Sequence, residues 1–268
     1  MSSKKVIFFF CYRFFELRLL ITSSLLKELK KKFRVIIFVP YQIKSIAKSN
    51  LPKDSEIFNL KFQSDKILKK ERNLRGKIEN FLRMILSLTY SNESRICSSY
   101  STQIKSFLNS RKKGTYNFVK MNLVVVLAKL SSNFRIIRKI IQKIIFYLLK
   151  SDHHHSEYVK YKPTFVLVGS LGLDVDANVI KESKKMKTKS IVLTQSWDRT
   201  VCKGFPIIES DYIFVWNEHM KQECVDFLDI KKNKIFVVGA PVWDNFFKKK
   251  GLVSRNNFLS SLKLNPKK

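Results

Sequence analysis

The sequence predicts an α/β fold, a parallel sheet covered by helices on both faces. Three observations carry that prediction. Short apolar runs recur along the chain and are continuous, without the alternation of a sheet that has one wet face. Stretches with apolar residues at three-to-four spacing separate most of them, as amphipathic helices require. The alternation recurs at a pitch that suits right-handed parallel crossovers.

In order, KVIFFFCY at 5–12 is a strand buried on both faces, and 17–29 is a helix facing inward through Leu17, Leu20, Ile21, Leu25, Leu26 and Leu29. FRVIIFV at 33–39 is a second strand, stopped by Pro40, whose ring fixes φ and removes the backbone donor. SEIFNLKF at 55–62 is a third strand, and 67–87 a helix with Leu74, Ile78, Leu82, Ile85 and Leu86 on one side. The polar, basic stretch 91–114 reads as a helix fragment and loop. Residues 116–150 are helical, with a break near Ser131, Ser132 and Asn133, and 151–157 is a polar segment. The second half continues with strands at 164–169, 190–194, 211–216 and 234–238, and helices at 176–187 and 219–228. A turn over 170–174 follows the first of these strands.

The 268 residues allow one large domain or two small ones, and 45% apolar content suits a folded chain. The formal net charge of +31, from 52 Lys and Arg against 21 Asp and Glu, favours an anionic partner. Zinc-finger spacing, RNP aromatics and heptad-linked basic regions are all missing, so nucleic acid is not the expected partner. Cys11, Cys97, Cys202 and Cys224 form no CxxC pair, which argues against a zinc site or disulfide framework and suits a reducing compartment. The run 6–11 meets Arg13 and Glu16 at once, too soon for a signal peptide. Nowhere does an uncharged apolar stretch approach the ~20 residues of a membrane helix. A cytoplasmic location is the expectation.

Several stretches invite a functional reading. His153, His154 and His155 lack companion ligands at metal spacing and read as a solvated loop, so no metal is expected. The helix 134–150 is basic and amphipathic. Its first reading is a sheet-covering helix with Arg135, Arg138, Lys139, Gln142 and Lys143 in solvent; its second is a helix lying on an anionic membrane surface. Neither GxGxxG after the first strand nor GxxxxGK[ST] occurs, which disfavours dehydrogenases and P-loop NTPases. Ser196, Trp197, Asp198, Arg199 and Thr200, with Lys203 and Gly204, follow a strand at the edge where open parallel sheets bind ligands. Trp197 offers a flat wall, Asp198 a hydrogen-bond acceptor, and Arg199 and Lys203 phosphate contacts. An Asp closing a turn beside a core Trp accounts for the same residues equally well. Gly239, Pro241 and Asp244 read as a structural turn after the last strand.

Taken together, SIVLTQSWDRTVCKG, DYIFVWNEHMKQEC and IFVVGAPVWD resemble bacterial two-domain glycosyltransferases of the GT-B architecture. The closest resemblance is to surface-polysaccharide transferases related to CDP-glycerol glycerophosphotransferases. Ser196, Trp197, Asp198, Lys203 and Gly204 match that group's loop, and Asp211, Val215, Trp216, Gly239, Pro241 and Asp244 match its later motifs. Arg199 stands where the group has Asn, and Thr200 and Val201 where it has Leu-Thr. The likeness is sharp over the last third and loose elsewhere.

What the resemblance implies is a Rossmann-like GT-B N-terminal domain over 1–250, with 251–268 opening an interdomain linker and the C-terminal donor domain absent. It implies an acceptor-binding half, peripheral on the inner face of the cytoplasmic membrane, working with a separate donor domain. The acceptor would be a glycan or lipid-linked saccharide. The donor of a full-length relative would be a nucleotide-activated sugar or glycerol, with no cofactor. Ser196, Trp197, Asp198, Arg199, Lys203 and Gly204 would bind substrate, with Lys203 near a phosphate, while Gly239, Pro241 and Asp244 form a turn or hinge. The catalytic residues stay unassigned. A chain of this extent, a fragment or a natural half-enzyme, is expected to be inactive alone. A non-catalytic basic module for anionic membrane or RNA is the alternative.

Overall fold

The computed structural model describes residues 4–61, 74–89, 105, 109, 114–169, 174–201, 205–247 and 253–265. Its strands are β1 (Lys5–Phe10), β2 (Phe33–Val39), β3 (Glu56–Asn59), β4 (Phe165–Val168), β5 (Lys189–Leu193), β6 (Tyr212–Val215) and β7 (Ile235–Val237). They form one sheet in the order β3-β2-β1-β4-β5-β6-β7, every neighbouring pair parallel. The expected Rossmann-like α/β architecture is therefore present.

Side-chain alternation along the strands divides the core into two layers. Ile7, Phe9, Val35, Ile37, Leu167 and Ile191 face α1 (Phe14–Thr22), α2 (Leu25–Lys32) and α3 (Tyr41–Asn50). Phe8, Phe10, Ile36, Phe38, Val166 and Val192 face the opposite layer. That layer comprises α4 (Leu74–Ser87), α5 (Thr115–Asn133), α6 (Arg135–Leu148), α7 (His155–Tyr161), α8 (Asp174–Lys185) and α9 (Glu218–Leu228). Two short helices, α10 (Asp244–Phe247) and α11 (Arg255–Ser261), lie near the C-terminal end of the sequence.

The structure corrects several details. The helix expected over 17–29 is two helices, because Ser23 takes the backbone's bonds at the joint: its N–H and Oγ both donate to the Leu19 carbonyl, and its Oγ accepts from Leu25 N–H. Helix α3 was not anticipated; Pro40, at φ −58°, ends β2 and immediately starts it. The break expected near Ser131, Ser132 and Asn133 is present, directly after them at Phe134, whose backbone is extended between α5 and α6. The expectations for 62–73, for nearly all of 91–113 and for the turn at 170–173 lie outside the described residues.

The histidine run is not a solvated loop. His154 is fully buried, its ring edge-on to Phe10 and Phe38, both centroids 5.1 Å away. Its Nε2 accepts from Lys61 N–H at 3.2 Å, and its backbone N–H donates to Glu182 Oε1 at 2.7 Å. Packing above the ends of β1 and β2 accounts for the burial; a polarity reading cannot see a partner 28 residues away. Among the described residues no group of three or more His, Cys, Asp or Glu is placed to hold a metal ion.

Helix α6 departs in part from its expected faces: Arg135 and Lys143 are exposed as expected, but three of the polar residues turn inward. Arg138 turns inward to a two-point pair with Asp229, at 2.7 and 2.9 Å. Lys139 reaches Glu209 at 3.1 Å, and Gln142 donates to the Pro206 carbonyl at 2.6 Å. Ile136, Ile140, Ile144 and Tyr147 consequently face outward. No helix among the described residues is long and apolar enough to cross a membrane.

Phe8 meets the rings of Phe10, Phe38, Tyr158 and Tyr161 and has no exposed surface. Phe8→Ala should lower the unfolding free energy by about 3–5 kcal/mol, read as a lower urea midpoint.

Candidate functional site

After β1 the chain builds outward through β2 and β3, then returns to the other side of β1 with β4 and builds outward the opposite way. The connections diverge at the carboxyl ends of β1 and β4. In open α/β sheets that switch point is where ligands bind.

Five polar side chains meet there. Arg13 and Glu16 follow β1, Gln195 follows β5, Asp176 sits in the first turn of α8, and Arg199 belongs to the turn Trp197–Arg199. Glu16 is buried and accepts from Arg13 N–H at 2.8 Å, with the Arg13 guanidinium 3.4 Å away. Burial nonetheless raises its proton affinity above that of an ordinary carboxyl, against the pull of Arg13. Asp176 is only 1% exposed, and neither carboxyl oxygen has a hydrogen-bond partner. Burial first, and the charge of Glu16 second, push its pKa well up; Arg13 and Arg199 pull the other way. Arg199 in turn interacts with Arg13, Asp198, Asp176 and Glu16. Gln195 is buried with both amide atoms unsatisfied.

Gly169, at the end of β4, makes this convergence feasible. A Cβ there would lie 2.3 Å from Glu16 Cγ and 2.4 Å from Gln195 Nε2. Beside Gln195 a narrow crevice of about 10 Å³, room for roughly one water, is lined by Phe15, Leu19, Trp216, Gly239 and Pro241 among others.

The residues singled out from sequence divide. Arg199 belongs to the cluster, and Trp197, 68% exposed, stands in the same turn. Asp198 accepts a hydrogen bond from Ser196 Oγ, as an Asp closing a turn does. Lys203 and Gly204 lie outside the described residues. Asp211 sits at the opposite sheet edge, tying β5 to β6 through Ser190 and Lys189; those bonds hold its pKa low although burial opposes them. Trp216 donates to the Thr194 carbonyl at 2.8 Å. Gly239 adopts φ +80°, Pro241 begins a tight helical turn, and Asp244 accepts from Ser24 Oγ at 3.0 Å.

Arg13, Glu16, Asp176 and Gln195 were not among the candidates. One signal for them was present: charged or amide residues placed directly after buried strands, or in the first turn of the helix that follows. Cys11 and Cys224 are buried, and burial raises both thiols, Cys224 to about 12, so neither is a ready nucleophile. The cluster can hold and move a proton at a carboxyl, meet an anion through two guanidinium groups, and hydrogen-bond hydroxyls.

No protein-family model matches the chain, and no curated protein matches it. Among solved structures it is similar to UDP-N-acetylglucosamine 2-epimerase from Rickettsia bellii, with 12% identity and a TM-score of 0.44. The match covers 98% of this chain and 52% of that one, so the chain spans about half the length of that protein.

Two outcomes follow from the geometry. Gly169→Ala should force Glu16 and Gln195 apart and cost about 1–3 kcal/mol, measured by chemical denaturation. Asp176 binds its proton more tightly folded than unfolded, so its destabilising effect is absent at acid pH and grows as pH rises above the unfolded value. Asp176→Asn should remove that loss. Its stability advantage over the native chain should widen by up to about 1.4 kcal/mol per pH unit in melts taken from acid to neutral pH.

Proposed function

We propose that this chain is the acceptor-side half of a nucleotide-sugar-dependent transferase of bacterial surface-polysaccharide synthesis, working at the inner face of the cytoplasmic membrane. The observation that carries the reading is the pair of buried acids, Glu16 and Asp176, set with Arg13 and Arg199 at the switch point. The motif resemblance around Ser196, Trp197 and Asp198 supports it independently.

In the reaction, the acceptor hydroxyl oxygen forms a bond to the donor's anomeric carbon while the bond from that carbon to the leaving diphosphate breaks. The hydroxyl proton passes to Asp176. Once ionised, a carboxyl with raised proton affinity is a stronger base than an ordinary one, and burial, with Glu16 beside it, sustains that shift. Asp198, engaged in its turn with Ser196, is left a structural part. Arg13 and Arg199 meet the phosphate of a phosphorylated or lipid-linked acceptor, Gln195 orients a hydroxyl, and exposed Trp197 gives a sugar ring a flat surface. Contacts to the nucleotide belong to the donor half.

Calorimetric titration with a short glycosyl diphosphate, and with the same saccharide lacking phosphate, tests this. The diphosphate should bind more tightly, and Arg13→Ala or Arg199→Ala should each weaken it by about tenfold or more, as loss of a charge-assisted contact does. Equal affinity for the two ligands, or unchanged binding by both variants, overturns the proposal.

A further inference from the structure

The outward side of the α5–α6 pair carries an apolar surface framed by positive charge. On α6, Ile136, Ile140, Ile144 and Tyr147 recur at three-to-four spacing; Ile136 is 70% and Tyr147 68% exposed. On α5, Val119, Leu123, Val126 and Leu130 do the same. The inner sides of both helices are occupied: Val124, Ala128, Ile141 and Ile145 pack into the core beneath the sheet. Both stripes therefore point away from the sheet, and the helices are joined by the single residue Phe134, itself exposed.

Charge identifies what covers this surface. Residues 115–150 contain seven Lys or Arg and no Asp or Glu. Two of the seven, Arg138 and Lys139, turn inward to Asp229 and Glu209. Lys129, Arg135, Lys143 and Lys150 are exposed, on long stems that can lie beside apolar groups while their charged ends reach outward. Such a face repels a second copy of itself. An apolar stripe bordered by cations suits a surface that is greasy below and anionic above.

The structure assigns the outer face of α5 and α6 as a docking surface for an anionic lipid bilayer, with the Ile136–Ile140–Ile144–Tyr147 stripe entering the interface and the flanking lysines and Arg135 meeting lipid phosphates. This does not rest on the transferase reading, since it uses none of the switch-point residues.

Co-sedimentation of the full chain with phosphatidylcholine vesicles, with and without phosphatidylglycerol, tests it. Binding should require the anionic lipid and weaken as salt is raised. The triple variant Ile136→Ser, Ile140→Ser, Tyr147→Ser should retain its melting curve, since these side chains are exposed, and lose at least about tenfold in vesicle affinity. Lys129→Gln and Lys143→Gln should each cost about fivefold at low salt and less at high salt. Absence of vesicle binding, equal binding to neutral vesicles, or unaltered binding by the triple variant overturns the assignment. So does concentration-dependent self-association in lipid-free buffer that the triple variant abolishes.

Discussion

Burial of β1 from Ile7 onward is the constraint on which the rest of the structure depends. Phe8, Phe9 and Phe10 have no exposed surface, and β1 pairs with β2 on one side and β4 on the other. A strand apolar on both faces needs a layer of helices on each, and those layers are the two halves of the core. Its central place also makes its carboxyl end the point where the connections diverge. Arg13 and Glu16 come directly after it, so the force that buries the phenylalanines also carries a charged pair to the edge of the interior.

The interior holds several polar clusters, and hydrogen-bond satisfaction separates their roles. Arg83 donates to Glu79 at 2.8 Å, and Arg138 grips Asp229 with two hydrogen bonds. His154 accepts from Lys61 and its backbone donates to Glu182. The first pair braces a single helix, and the others tie separate elements to one another. Asp176 and Gln195 have the reverse character, buried without partners, a condition that costs about 1–3 kcal/mol per group. In a domain stabilised by only about 5–15 kcal/mol, two such groups are a large fraction. Their concentration at the switch point, beside two guanidinium groups, sets this cluster apart from the structural ones.

The sheet was legible because parallel strands buried on both faces leave continuous apolar runs, and six of the seven strands coincide with such a run; the edge strand β3 has only Ile57 and Phe58. The switch point was legible only in principle. It depends on strand order, which no local pattern encodes, so the Ser196–Gly204 loop was assigned to the ligand edge while its neighbours Arg13 and Asp176 were passed over. His154 and helix α6 failed for a related reason. Polarity along a helix or loop describes what a residue prefers, whereas Glu182, Asp229 and Glu209 decide where His154, Arg138 and Lys139 go. A basic residue with an acid on its inner side, as Arg138 has in Asp229, turns inward, and Ile136, Ile140 and Ile144 are left outside.

That inversion links the two surfaces. Helices α5 and α6 pack on one side of the sheet, while the Glu16–Asp176 cluster lies at the sheet's carboxyl edge. A bilayer resting on α5 and α6 would therefore cover a different part of the surface from the switch point, which uses none of the same residues. An acceptor anchored in lipid presents its phosphate and first sugar just above the headgroups, and it approaches such an edge by lateral diffusion. Trp197 at the exposed rim, Arg13 and Arg199 less exposed and Asp176 within would then be met in the order of their burial: ring surface and charge first, proton transfer last.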